Sequence, residues 1–189
     1  VIDTGIKVNH TNFATAPQDP HFDAAGIQSV LNRYDLCAEE RYNGTLTGAT
    51  LYHSAKLPFT FNYYAGNTDV SHASAGSDHG THVSSIAAGC DSSSRGVAYN
   101  AQIISMQVFQ NGGAAWSEIL AALEDCAWLE VDALNMSLGS DNGFTQGEAD
   151  MEEVFALLTA HGVNCAVAAG NSGTAGSGNN YGSKQPTFN

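Results

Sequence analysis

From residue 101 onward the apolar positions of the chain change period in a regular succession. AQIISMQVF, 101–109, is an almost unbroken apolar run, as expected of a strand buried on both faces. WSEILAALEDCAWL, 116–129, places Trp116, Ile119, Leu120, Leu123, Cys126 and Ala127 on one side of a helix. DALNMSL then predicts a second strand. GEADMEEVFALLTAHG repeats Met151, Val154, Phe155 and Leu158 at helical spacing and closes on Gly162, a residue suited to a helix C-terminus. VNCAVAAG predicts a third strand. Strand, helix, strand, helix, strand with short links implies right-handed crossovers and a mainly parallel sheet flanked by helices, an α/β fold. The pattern before residue 101 is weaker. Residues 9–57 read as an irregular excursion with one helical patch near 24–34, and FTFNYY reads as a strand. SAGSDHGTHVSSIAAGC reads as a loop entering a helix, with Ser77 or Asp78 as N-cap and Val83, Ile86 and Ala87 as its buried face.

Composition narrows the possibilities. A length of 189 residues with 43% hydrophobic and 13% charged side chains fits one domain with a sizeable core. No run approaches the roughly 18–20 apolar residues that a membrane span needs. The formal charge is -13, nineteen acidic residues against six Lys and Arg, which excludes nucleic acid as a partner. Cys37, Cys90, Cys126 and Cys165 are widely spaced with no C-x-x-C pair, which argues against a zinc or redox site. Cys126 and Cys165 lie in apolar periodic segments and are expected to be free core thiols. The chain opens inside a strand pattern without Met and closes on no pattern, so both ends are expected to be truncations.

In α/β sheets ligands gather beyond the carboxyl ends of the strands, which here are 110–114, 137–139 and 170–171. Chemistry-bearing residues cluster around the same places. VIDTG, 1–5, ends a strand on Asp3; DHGTHVSSIAAG, 78–89, carries His79 and His82; NMSLG, 135–139, and AVAAGNSG, 166–173, follow two of the strands. Asp3 admits two chemistries. As half of an aspartic dyad it needs a second DTG or DSG loop, or a small all-β homodimer. The sequence has no second loop, and the β-α crossovers oppose the dimer. As the partner of a histidine it needs only an imidazole. His79 and His82 as an H-x-x-H metal pair lack the Glu of the zincin signature, so no metal site is expected.

These segments, in this order, resemble the subtilisin-like serine proteases. KLPFTFNYYAGNTDV, ahead of the His motif, is similar in style to the large cell-envelope proteinases of Gram-positive bacteria. The resemblance implies a three-layer subtilisin-like fold, with residues 1–189 as the N-terminal part of a single peptidase domain. It implies a serine endopeptidase acting on polypeptide substrates, extracellular or associated with the cell envelope. Asp3 is then the triad carboxylate and His79 the general base, with Asn171 an oxyanion donor, a group whose loss costs subtilisin about 10² to 10³ in turnover. Ser137, Leu138 and Gly139 would pair with the substrate backbone, Gly112 and Gly113 with Ala114 would form the opposite wall, and Ala168, Ala169 and Gly170 would line the primary specificity pocket. Trp116 would be either a distal subsite or helix core. The chemistry would require no cofactor, while a structural calcium remains compatible with it. The family's GTSMA-type nucleophile segment is absent from the 189 residues, and Ser172 lacks the surroundings of a nucleophile elbow, with Thr174 where a Gly is needed. The chain alone is therefore expected to be inactive. A pseudoprotease that uses the cleft for binding is the alternative.

Overall fold

The computed structural model describes residues 1–139, 148–168 and 170–171. Five strands, β1 (Ile2–Asp3), β2 (Phe59–Asn62), β3 (Ile104–Gln107), β4 (Ala133–Met136) and β5 (Asn164–Val167), form one sheet in the order β2-β3-β1-β4-β5. Every pairing is parallel, so all carboxyl ends leave by the same edge. The strands are shorter than the apolar runs that announce them.

Register separates the two faces of the sheet. Phe61, Met106, Ile2, Met136 and Val167 are cross-strand partners in one row, and all but the half-buried Val167 are fully buried. One residue further along, Asn62, Gln107 and Asp3 make the next row. It points to the opposite face because side chains alternate along a strand. The sheet thus has an apolar face and a face of small and polar residues.

Among the described residues seven α-helices accompany it: α1 (Ala24–Leu31), α2 (Cys37–Arg41), α3 (Gly48–Leu51), α4 (His72–Ala75), α5 (His79–Ala88), α6 (Trp116–Trp128) and α7 (Glu148–Ala160). Helix α6 buries Ile119, Ala122, Leu123, Cys126 and Ala127 in the same core as Ile2, Phe61 and Met136. Its buried face is wider than its apolar pattern, since it includes Asp125 while Leu120 is half-buried. Leu158 of α7 joins that core, and Gly162 ends the helix with φ +74°. Helix α5 lies on the polar face against Asp3, so helices flank both faces in three layers. Ile6, Phe13, Leu57, Val70, Ala88 and Ile103 form a second, smaller core.

Three expectations are corrected. The buried face of α5 is Gly80, Thr81, Ser84 and Ala88, whereas Ile86 is 57% exposed and Val83 and Ala87 are half-buried. The polar row beneath the helix admits only small groups at close approach. A β-carbon on Gly80 would strike the Gly5 carbonyl oxygen and sit 3.2 Å from Asp3 Cβ. The 9–57 excursion is also more ordered than its sequence pattern, holding α1, α2, α3 and the 3₁₀ turn Thr11–Phe13. Local caps explain this: Asp23 accepts from Gly26 N at 2.8 Å and Thr47 from Thr50 N at 3.1 Å. Helix α2 is capped from a distance, as Asp125 accepts from Cys37 N (2.7 Å), Ala38 N (3.0 Å) and the Tyr63 hydroxyl (2.7 Å). Finally, Cys165 is half-buried on the terminal strand of the sheet, while Cys126 is buried with Sγ 3.4 Å from Met106 Sδ; all four thiols are free.

Candidate active site

Asp3 ends β1 in the middle of the sheet and is 2% exposed. A buried carboxylate needs partners, and it has them in Thr4 N at 2.7 Å and the ring of His79, whose Nδ1 lies 2.8 Å from Oδ1 and 3.0 Å from Oδ2. An ionised carboxylate can only accept, so the Nδ1 proton lies between the two groups and Nε2 is left as the ring's basic nitrogen. The His79 side chain is 46% exposed, open to a reacting group, while its anchor is not.

Two further contacts hold the helix end in place. Thr4 Oγ1 accepts from Gly80 N at 2.9 Å, and Thr81 Oγ1 accepts from Lys7 N at 2.9 Å. Ser77 Oγ accepts from His79 N at 3.2 Å, whereas Asp78, though at the N-cap position, makes no side-chain cap bond. Gly5 has φ +91°, and a β-carbon there would strike Val70 O. The VIDTG segment is therefore built for close passage as well as for its carboxylate.

The remaining predicted residues that the structure describes follow β3, β4 and β5 at the carboxyl edge of the sheet. Val108 N donates to Asp3 O at 3.0 Å, which brings the segment after β3 beside the Asp. That segment turns at Asn111 (φ +49°) and Gly112 (φ +79°), with Gln110 N bonded to Gly113 O at 2.8 Å and Gly113 N to Gln110 O at 3.0 Å, a two-residue turn of the primed kind. Helix α4 supports it, since Gly112 N donates to Ala75 O at 3.2 Å. After β4, Ser137 Oγ accepts from Asn135 Nδ2 at 3.1 Å, Leu138 turns its side chain into the core at 8% exposure, and Gly139 is exposed. The main chain of 137–139 is thus what remains to meet a ligand. After β5, Ala168 N donates to Met136 O at 3.0 Å, Gly170 has φ +92°, and Asn171 is exposed. Ala169 and Ser172 lie outside the described residues. Trp116 is half-buried and packed against the main core, which favours the core reading.

His82 is exposed one turn along α5. Among the described residues no three His, Cys, Asp or Glu side chains converge as a metal site would require. Sequence reasoning missed the supporting contacts of Thr4, Thr81 and α4. Asn111-Gly112, a strong hairpin-turn signal, could have located the turn.

Residues 1–187 match the subtilase family. The chain belongs to that family. This subtilase is 33% identical to the PII-type proteinase of Lacticaseibacillus paracasei and 36% identical to the PI-type proteinase of Lactococcus lactis subsp. cremoris, each over 94% of this chain and 9% of the relative. It is 34% identical to subtilisin DY of Bacillus licheniformis over 57% of this chain and 39% of that protein. The subtilase chain thus spans about 9% of the length of the two large proteinases.

Proposed function

We propose that this subtilase chain is the N-terminal part of the catalytic domain of an exported serine endopeptidase. The observation that carries the reading is the Asp3–His79 pair, a carboxylate 2% exposed holding Nδ1 of a half-open imidazole. In that role His79 Nε2 takes the proton of a serine hydroxyl supplied by residues beyond this chain, and returns it to the leaving amine. Asp3 fixes the ring and stabilises its cationic form. Asn171 donates to the oxyanion. Residues 112–114 and 137–139 bind the substrate backbone as flanking strands, and 168–170 receive the side chain before the scissile bond. No cofactor enters this chemistry.

The test is covalent labelling of the full-length protein with a fluorophosphonate probe, which reacts only with an activated serine. Labelling of a serine outside residues 1–189 is expected, with the rate falling by several powers of ten in His79→Ala and remaining within a few-fold of wild type in His53→Ala. The 189-residue polypeptide alone should take no label. An unlabelled full-length protein would leave a binding domain as the better description, and label on Ser172 would overturn the placement of the nucleophile beyond this chain.

A further inference from the structure

A groove of about 710 Å³ runs along one flank of α5. Asp78, Thr81, His82, Ser85 and Ile86 line it from one side of that helix, at the i, i+3, i+4, i+7, i+8 spacing of a single face. It starts at the residue preceding His79. One end of the groove is therefore at the helix end that carries His79.

The charge of the groove is opposite to that of the molecule. Lys7 and Arg95, two of the six Lys and Arg in the chain, line it together with His10, His72 and His82. Asp78 is its one carboxylate. Two cations against one anion give the lining a formal +1, on a chain whose total is -13. Asp91 lies beside His10 but outside the lining, engaged by the Ser93 hydroxyl and N–H. Arg95 is held in position with its guanidinium 4.8 Å above the Tyr99 ring. Apolar surface accompanies the charge, since Ile86 is 57% exposed and Val97 91%.

We infer that this groove is an extended subsite for polypeptides carrying an acidic segment interspersed with apolar residues, some way along the chain from the bond that is cut. The inference rests on the endopeptidase reading for the occupant's being a substrate. A carboxylate side chain meets Lys7 and Arg95 at the price of little desolvation, because both are exposed, and gains specificity more than affinity. The apolar residues of the segment cover Ile86 and Val97. Against an acidic protein surface that repels such a segment elsewhere, the groove is the place where it settles.

Fluorescence anisotropy on full-length protein bearing His79→Ala separates binding from turnover. The probes are a fluorescein-labelled peptide alternating Glu with Leu, and its counterparts with Gln or Lys in place of Glu. The Glu peptide should bind about tenfold or more tighter than the other two, and its affinity should drop as salt is raised. Lys7→Gln with Arg95→Gln should remove about tenfold of that preference while leaving the thermal melt unchanged. In the active protein the same double substitution should raise KM for a substrate extended by the Glu-Leu segment, with kcat intact. Equal binding of the three peptides, preference for the Lys peptide, or a Glu preference that survives the double substitution would each overturn the inference. A protein that binds the Glu peptide in the expected way yet hydrolyses nothing would refute the endopeptidase reading and leave the groove assigned to an acidic binding partner.

Discussion

Asp125 is the residue whose titration has most to say about stability. It is wholly buried on α6. Burial pushes its carboxyl up to about 7, against the Tyr63 hydroxyl and the Cys37 and Ala38 N–H groups, which pull it down. Between its ordinary value of 3.8 and about 7 the folded protein keeps a proton that the unfolded chain has released. Stability contributed by this group is therefore complete below the lower value and is lost as pH rises through the upper one. The span corresponds to at most ~4 kcal/mol. Asp125→Asn abolishes the titration, so the stability of wild type relative to the variant should fall by a few kcal/mol from pH 4 to pH 7.5, measured by denaturant unfolding. A difference independent of pH would show that the three hydrogen bonds keep the carboxylate ionised throughout. At this scale the pairing of Asp3 with His79 was legible because the motifs that carry them are chemical signatures of the family. Asp125 was not, since a carboxylate at a core position of an apolar helix carries no local sign that the N–H groups of a distant short helix will meet it.

Helix α5 and strand β1 show how an element can be placed by what it lacks. Their contact depends on Gly80, where a β-carbon would strike the Gly5 carbonyl and come within 3.1 Å of Asp3 Oδ1. Gly80→Ala must push the helix off the strand, because the obstacle is backbone and cannot rotate away. Overpacking of this kind costs about 1–3 kcal/mol. The larger effect should fall on reactivity, since His79 is carried by the same turn and a misplacement of ~1 Å can cost about 10²-fold. Fluorophosphonate labelling of the full-length Gly80→Ala protein is therefore expected to slow by that order with only a modest drop in Tm. A lowered Tm with wild-type labelling would mean that the pair does not depend on this contact. The apolar pattern of α5 pointed to the wrong face for the same physical reason. Periodicity assumes that large apolar groups go inward, whereas a polar sheet row draws glycine, serine and threonine toward it and leaves Ile86 outside. The longer helices α6 and α7, packed on the apolar face, followed their periodicity.

For the whole molecule, the α/β class was legible from alternating periods, but strand order was not. β1 is only two residues long and sits between β3 and β4, an insertion that nothing in its own pattern announces. The same sheet leaves a face partly bare among the described residues. On the side opposite α6 and α7, β4 and β5 have Ala133, Asn164 and Ala166 exposed and Asn135 half-buried. A cavity of about 420 Å³ there is lined by Ala87, Ala88, Ile103, Asn135 and Ala166 among others. Each large apolar side chain left in water forgoes roughly 1.5–3 kcal/mol, and a few of them rival the ~5–15 kcal/mol that holds a typical domain together. The wall of that cavity also carries Phe22, Ile104 and Val131, which are only half-buried. The 189-residue polypeptide on its own is thus expected to bind a hydrophobic dye and to melt over a broad range, with β5, the half-exposed end strand of the described sheet, as the point of self-association. On the proposed reading, adding the downstream part of the protein as a separate chain should suppress dye binding, sharpen the melt and restore fluorophosphonate labelling together, because that reading assigns the cover of this face and the nucleophile to the same segment. A sharp, dye-free melt of the 189 residues alone would show that this face is covered from within the chain and that the nucleophile joins a core already complete.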